Sequence, residues 1–181
     1  KKNILMHHGI SDTAILNYDD KIVRELANLT KARYLFFSLE DKKCEAFFDG
    51  SLLRVKLPNE DELTIAPRKI LLRGKHNWSN ILAASIVAKE LGVENNVITD
   101  LIYSFKGLEH RLEPVGKIRG VTFINDSIST NPTALQAAIN SFSEPLTLIM
   151  GWFDRGLDYQ DLAKEIAINK QVNKVIVIGQ V

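Results

Sequence analysis

Short apolar runs alternate with helix-like segments over the last part of the chain. Apolar residues recur at helical spacing in the longer segments, and the shorter runs are bounded by turn residues. The pattern predicts strands at residues 121–124, 146–150 and 174–178, with helices at 132–142 and 159–168 between them. Alternation of this kind is typical of a parallel sheet with right-handed crossovers. We therefore expect an α/β fold in which the loops after all three strands lie at one edge of a sheet.

The earlier part of the chain predicts a mixed sheet. Strands at 13–17 and 34–39 flank a helical segment at 20–29, which is the pattern of a βαβ unit. The Asp49-Gly50 pair predicts a hairpin, and strands at 52–57 and 63–65 would then form an antiparallel edge. Two helices follow, from Gly74 to Gly92 and over 96–105. Near 108–111 the two successive helices give way to alternating strands and helices, and this change predicts two domains, 1–108 and 109–181.

The bulk composition excludes several classes of function. Lys and Arg total 23 against 22 Asp and Glu. A net charge of +1 therefore provides no strong positive potential to attract nucleic acid or an acidic membrane surface. The single cysteine, Cys44, forms no internal disulfide, which fits a reducing, cytoplasmic compartment. No apolar run approaches the ~20 residues that a membrane-spanning helix needs. The adjacent His7 and His8 lack a third ligand at metal spacing, which favours a surface loop.

A polar loop follows the predicted strand at 121–124, which we expect to be buried. Residues 125–131 contain one carboxylate, three hydroxyls and two amides. Asn131 is the expected N-cap of the next helix, and Pro132 is its first residue. Loops at this place in open α/β sheets bind ligands, and Asp126 could accept two ribose hydroxyls there. An ordinary turn also uses Asp, Ser and Asn, so both interpretations stay open.

Other polar residues occur at places where a nucleotide could bind. Asn77 and Asn80 are three apart at the start of a predicted helix, and amide side chains pair with adenine through one donor and one acceptor; N-capping by Asn77 is the alternative. Arg111, at the predicted domain junction, could hold phosphate oxygens, or could lie in a plain linker. Arg155 lies in the loop after the strand at 146–150. Gly74 and Lys75 do not form a Walker A motif, because the preceding Gly and the following Ser or Thr are missing.

These motifs occur in a specific order. HNxxN, HRxE, NDSxxTNP and GxxDRG follow one another, and the series resembles the Mur ligase family of peptidoglycan synthesis. The resemblance extends from residue 17 to the end of the chain. The branch that adds D-glutamate tends to show NDS followed by TN, and the matching residues here are Asn125, Asp126, Ser127, Thr130 and Asn131.

The resemblance implies a fold and a set of binding residues. It implies that 1–108 is the latter part of the P-loop-type central ATP-binding domain, with antiparallel edge strands, and that 109–181 is an incomplete Rossmann-like C-terminal domain. Because the chain ends shortly after a predicted strand, without a covering helix, we expect it to be part of a longer protein. The resemblance assigns adenine to Asn77 and Asn80, phosphates to Arg111, ribose to Asp126, and the incoming amino acid to Thr130 and Arg155.

The resemblance also implies a reaction. It is ATP-dependent addition of D-glutamate to UDP-linked muramoyl-alanine through an acyl phosphate, by a cytoplasmic and monomeric enzyme. The P-loop, the Mg²⁺ ligands and a modified lysine would precede Lys1, so we expect no catalytic residue in this chain and no turnover by it alone. Arg155 replaces a frequent lysine and keeps its charge, whereas Ile128 replaces a frequent lysine and cannot contact substrate oxygens. Another Mur or folyl-polyglutamate ligase, or a non-catalytic nucleotide-binding module, therefore remains an alternative.

Overall fold

The computed structural model describes residues 2–151 and 158–179. The chain divides into two compact units. Unit 1 comprises Lys1–Leu71 and Lys75–Phe105, and unit 2 comprises Leu72–Gly74 and Lys106–Val181. The assignment of 1–108 and 109–181 as functional domains stays a prediction. Among the described residues, no helix is both long and apolar enough to cross a bilayer.

Unit 1 is a mixed α/β layer structure, and its βαβ unit confirms the expected fold class. A short helix, α1, which the sequence did not predict, precedes the first strand. In chain order the elements are α1 (Lys2–Met6), β1 (Thr13–Asn17), α2 (Lys21–Leu26), a 3₁₀ turn (Ala27–Leu29), β2 (Arg33–Ser38), β3 (Ala46–Phe48), β4 (Leu53–Val55), β5 (Leu63–Ile65), a second 3₁₀ turn (Pro67–Lys69), α3 (Lys75–Glu90) and α4 (Asn95–Ser104).

The five strands of unit 1 form one sheet in the order β1-β2-β3-β4-β5. The first three run parallel, and β4 and β5 add the predicted antiparallel edge. The hairpin between β3 and β4 turns at Asp49 and Gly50, as the sequence predicted. Oδ1 of Asp49 accepts hydrogen bonds from the backbone N–H groups of Ser51 and Leu52, both at 2.8 Å. Gly50 has a φ of 104°, which a residue with a side chain rarely adopts.

Helix α3 packs on this sheet and contacts β1, β2, β3 and β4. Leu82 and Ile86 are fully buried there together with Leu53, Val55 and Ile65. Burial of such side chains contributes about 1.5–3 kcal/mol each, so the sheet and α3 form the main core of unit 1. The candidate adenine residues therefore lie at the start of a helix that is packed firmly against the core.

One lysine near the end of α3 is buried but satisfied. Nζ of Lys89 lies 3.2 Å from the carbonyl oxygen of Asp61, 2.9 Å from Oδ1 of Asn95 and 3.0 Å from Oε2 of Glu60. An ammonium group inside a fold is tolerated only with such partners. These contacts join the end of α3 to the β4–β5 turn and to α4.

Unit 2 contains two separate pairs of strands among its described residues. Its elements are β6 (Glu113–Ile118), β7 (Val121–Asn125), α5 (Pro132–Ile139), β8 (Leu146–Met150), α6 (Gln160–Ile168) and β9 (Val172–Val177). Strands β8 and β9 are parallel, as predicted, and α5 contacts α6. Strands β6 and β7 form an antiparallel hairpin instead.

The strand at 121–124 was expected to be buried and to join the other two strands in one parallel sheet, and this expectation was wrong. In the described part of unit 2 it pairs only with β6, which was not predicted, and its side chains Val121 and Phe123 are exposed. The cause is a tight turn at Arg119 and Gly120, where φ is 49° and 85°. Two successive residues with positive φ match the twist of a two-residue hairpin, but arginine seldom adopts this conformation.

Arg73, in the segment Leu72–Gly74 of unit 2, contacts two other residues of that unit. Nη1 of Arg73 lies 3.1 and 3.3 Å from the two carboxylate oxygens of Glu144. The guanidinium carbon also lies 4.9 Å from the centre of the Phe142 ring. An ion pair and a cation–π contact thus hold the residue two positions before α3 within unit 2.

Candidate functional site

The first candidate group lies at the beginning of α3 in unit 1. Asn77 is half-buried and Asn80 is exposed, and Nδ2 of Asn80 donates to Oδ1 of Asn77 at 3.3 Å. The contact keeps the two amides side by side in the first turns of the helix, where backbone N–H groups have no intrahelical partner. A pair of amides in this setting can present donors and acceptors to the edge of a purine.

The second candidate group is the turn that contains Arg111 in unit 2. The residues on both sides of Arg111 have left-handed backbone conformations, with φ of 63° at His110 and 47° at Leu112. Such values are uncommon for residues other than glycine and persist where surrounding contacts enforce them. The backbone N–H of His110 donates to Oε2 of Glu113 at 2.8 Å, and that of Arg111 donates to the carbonyl oxygen of Leu108 at 3.3 Å. Arg111 itself is exposed.

The third candidate group is the loop at 125–131, and hydrogen bonds connect it directly to the Arg111 turn. Oδ1 of Asp126 accepts from the backbone N–H of Leu112 at 3.0 Å. Nδ2 of Asn125 donates to Nδ1 of His110 at 2.9 Å, and the backbone N–H of Ile128 donates to the carbonyl oxygen of His110 at 3.3 Å. The structure therefore brings Arg111 and Asp126 into one connected site, which we call the turn–loop site (residues 110–113 and 125–128).

The sequence did not predict this connection. The two segments are far apart along the chain, and the bonds depend on the left-handed conformations of His110 and Leu112. The local parts of the loop were predictable. Oδ1 of Asn131 accepts from the backbone N–H of Ala134 at 2.9 Å, which confirms the N-cap of α5, with Pro132 as its first residue.

One oxygen of the Asp126 carboxylate lacks a partner. Oδ2 is buried and accepts no hydrogen bond from the described residues, whereas Oδ1 is used by Leu112. Leaving a buried carboxylate oxygen unsatisfied costs about 1–3 kcal/mol or more, so such atoms are uncommon unless they have a function. A hydroxyl group from a ligand would satisfy Oδ2 if it reached that atom.

Thr130 is exposed beside a very small cavity. The cavity has a volume of about 10 Å³ and is lined by Ser129, Thr130, Asn131, Pro132, Leu135, Tyr159 and Leu162. A space of this size holds about one water molecule and not an amino acid. Arg155, the other residue expected to bind the amino acid, lies outside the described residues.

A larger groove of unit 2 contains none of the expected binding residues. Its volume is about 270 Å³, and its lining is mainly apolar: Met150, Tyr159, Leu162, Ala163, Ile166, Ala167 and Val175. The groove lies between α6 and the strands β8 and β9. Tyr159 carries the one polar group among these lining side chains.

The remaining reactive side chains do not form a site of their own. Cys44 is buried, and burial raises the pKa of its thiol to about 12, with further increases from the carboxylates of Asp41, Glu45 and Asp19. Such a thiol stays protonated and unreactive near neutral pH. His7 is exposed, and Nδ1 of His8 lies 3.1 Å from Oγ1 of Thr30. Over residues 2–151 and 158–179, no three His, Cys, Asp or Glu side chains come together as a possible metal site.

Comparison with known proteins indicates the family to which the chain is related. Residues 1–88 match the family model of the Mur ligase middle domain, and residues 110–181 match that of the Mur ligase glutamate ligase domain. A UDP-N-acetylmuramoylalanine–D-glutamate ligase of Desulfitobacterium hafniense (strain Y51) is 42% identical over 99% of this chain. An enzyme of the same name from Pelotomaculum thermopropionicum is 34% identical over 99% of the chain. The chain spans about 39% of the length of each relative.

Solved structures support the same fold. The crystal structure of MurF from Acinetobacter baumannii matches with a TM-score of 0.78 and 21% identity, covering 99% of this chain and 41% of that one. The MurF ligase of Thermotoga maritima, solved in complex with ADP, matches with a TM-score of 0.69 and 18% identity, covering 97% of this chain and 42% of that one. At these identities the match concerns the fold alone. Since both family models and both curated relatives agree, the chain belongs to the Mur ligase family.

Proposed function

We propose that this chain is the nucleotide-binding and amino-acid-binding part of an ATP-dependent ligase that joins D-glutamate to UDP-linked muramoyl-alanine. The observation that carries the proposal is the 42% identity, over 99% of the chain, to the D-glutamate ligase of Desulfitobacterium hafniense. The NDSxxTN pattern at 125–131 supports the same acceptor. The reaction would belong to the synthesis of peptidoglycan precursors in the cytoplasm, by a monomeric enzyme.

We propose nucleotide contacts for three groups of residues. Asn77 and Asn80 bind the adenine edge, Asp126 accepts a ribose hydroxyl through its unsatisfied Oδ2, and Arg111 contacts the phosphates. The paired amides and the buried oxygen support the first two assignments. The third is supported by the guanidinium group, whose planar fork fits phosphate oxygens, on a turn that hydrogen bonds connect to Asp126.

The proposed reaction is amide formation driven by ATP. The carboxylate of the muramoyl peptide attacks the terminal phosphorus of ATP to form an acyl phosphate and ADP. The amine of D-glutamate then attacks the acyl carbon and displaces inorganic phosphate. Catalysis of this type depends mainly on positioning and on neutralising phosphoryl charge, and Arg111 would supply one cation for that purpose.

Mg²⁺ would neutralise further phosphate charge when bound. From the resemblance to the family, we propose that its ligands lie outside this part of the protein. The chain by itself is then expected to bind nucleotide without turnover.

The acceptor site is proposed at Thr130 and Arg155, which would contact D-glutamate. Ile128 favours a second candidate, a related ligase with a different acceptor. Its side chain is 52% exposed at a position where the family often has lysine, and an alkyl group cannot bind a carboxylate. The amino acid that the enzyme accepts is therefore the decisive measurement.

The test is phosphate release by the complete gene product with ATP, Mg²⁺ and the muramoyl-alanine substrate. We expect D-glutamate to stimulate release and L-alanine or diaminopimelate not to do so. If only one of the other amino acids stimulated phosphate release, that amino acid would be the acceptor instead of D-glutamate. Binding of ATP without stimulation by any amino acid would favour a non-catalytic nucleotide-binding module.

A further inference from the structure

We propose that Glu113 is a positioning residue of the turn–loop site, which holds Arg111 in place for phosphate binding by fixing the backbone of His110. The proposal rests on the proposed nucleotide site. Oε2 of Glu113 accepts the backbone N–H of His110 at 2.8 Å and also lies 3.9 Å from Nδ1 of the same residue. Glu113 thus acts on the residue immediately before Arg111.

The position of Glu113 in the fold suits this role. It is the first residue of β6 and pairs with Asn125, the last residue of β7, at the open end of the hairpin. Both side chains of this pair contact His110: Glu113 accepts its backbone N–H, and Asn125 donates to its ring. The end of the hairpin therefore holds His110 by two side chains, one bonded to its backbone and one to its ring.

The turn needs this support because its backbone is unfavourable. His110 and Leu112 both have positive φ, and neither is a glycine. Two carboxylates satisfy the N–H groups of these residues, with Glu113 bonded to His110 and Asp126 to Leu112. Removal of one acceptor leaves the chain free to adopt a conformation with negative φ, which would turn Arg111 in another direction.

Glu113 allows the positioning of Arg111 to be tested separately from direct contact with the nucleotide. Asp126 combines a bond to the turn with its proposed contact to ribose, whereas Glu113 has no assigned contact with the nucleotide. Among the described residues, Glu113 and Arg111 form no ion pair, so the carboxylate does not compete directly for the guanidinium. A change at Glu113 should therefore weaken phosphate binding alone.

The experiment measures the dissociation constants of ADP and adenosine by calorimetry with the complete gene product. Glu113→Asp keeps the charge but shortens the side chain, and Glu113→Gln loses the charge but keeps an oxygen at the same reach. We expect E113D to weaken ADP binding by about tenfold and E113Q by less than about threefold, with adenosine binding unchanged in both. Glu109→Gln, a change at an exposed carboxylate just before the turn, is the control and should alter neither constant.

Arg111→Ala separates failure of this inference from failure of the proposed function. If R111A weakens ADP binding while E113D binds ADP as the wild type does, Glu113 has no positioning role and the nucleotide site stands. If R111A leaves ADP binding unchanged, the phosphate role of Arg111 is wrong. A loss of adenosine binding in E113D equal to its loss of ADP binding would indicate general disruption and would also overturn the inference. Equal defects in E113D and E113Q would exclude the hydrogen bond as the cause.

Discussion

Oδ1 of Asp126 accepts a hydrogen bond from the backbone N–H of Leu112 at 3.0 Å, while Oδ2 of the same carboxylate is buried without a partner among the described residues. The two oxygens of Asp126 therefore have different environments. One stabilises the turn that carries Arg111, and the other is the atom that we propose for ribose. Substitutions at Asp126 should affect both functions, to different degrees.

The first prediction concerns these two functions of Asp126. Asp126→Ala removes both oxygens and should raise the KM for ATP of the complete protein by at least about tenfold, since a hydrogen bond to a charged group contributes about 1.5–3 kcal/mol. Asp126→Asn keeps an oxygen that can accept from Leu112 and should have the smaller effect. Steady-state kinetics at varied ATP would measure both. An unchanged KM in D126A would remove Asp126 from the nucleotide site.

The second prediction concerns the paired amides of α3. Asn80→Ala removes one amide of the proposed adenine site and the contact with Asn77, so the preference for ATP over GTP should fall by about tenfold. The ratio of kcat/KM for the two nucleotides is the appropriate measurement. Val87→Ala, at an exposed position on the same helix, should leave the ratio as it is. A preference for ATP that persists in N80A would place adenine recognition elsewhere.

The third prediction concerns a buried hydroxyl in the core of unit 1. Ser85 on α3 is 1% exposed, and its Oγ has no hydrogen-bond partner in the described part of the chain. Ser85→Ala should stabilise the protein by about 1 kcal/mol, because alanine favours helix and removes an unsatisfied polar group.

Thermal denaturation of the complete protein would show this change as a higher Tm. Ser79→Ala, at a half-buried site on the same helix, measures the helix-propensity part alone and should give a smaller increase. If S85A lowers the Tm, the hydroxyl has a partner that stabilises the fold.

The fourth prediction concerns the pH dependence that Cys44 confers. Its thiol pKa is raised from the ordinary value of 9.0 to about 12, chiefly by burial. The folded protein then keeps a proton that the unfolded chain releases, so the contribution of Cys44 to stability is complete below pH 9.0 and is lost as the pH rises towards 12.

Two measurements check this fourth prediction. Iodoacetamide should modify Cys44 far more slowly in the native protein than in urea at pH 8.5, since only the thiolate reacts. Between pH 9 and pH 11, the stability of Cys44→Ala should fall less steeply than that of the wild type. Rapid alkylation of the native protein would contradict both the burial and the raised pKa.

Features encoded by neighbouring residues were predicted well. The hairpin at Asp49 and Gly50 was predicted because a side-chain acceptor and a residue tolerant of positive φ occur together there. The N-cap at Asn131 followed from an equally short pattern. Both structures depend on contacts within about four residues, which a single sequence displays directly.

Features that the residue types do not indicate, or that join segments further apart, were missed. The partner of β7 is β6, and the turn between them uses Arg119 in a conformation that its residue type does not indicate. The bond from Leu112 to Asp126 likewise joins segments fourteen residues apart along the chain. The sequence therefore named Arg111 and Asp126 as separate candidates, while their connection required the three-dimensional structure.

The assignment of Leu72–Gly74 to unit 2 has a consequence for protein engineering. A chimera that exchanges the C-terminal part between relatives at residue 105 would separate Arg73 from the Glu144 and Phe142 with which it is paired here. Such an exchange should succeed more often when the donor also contributes the three residues before Lys75.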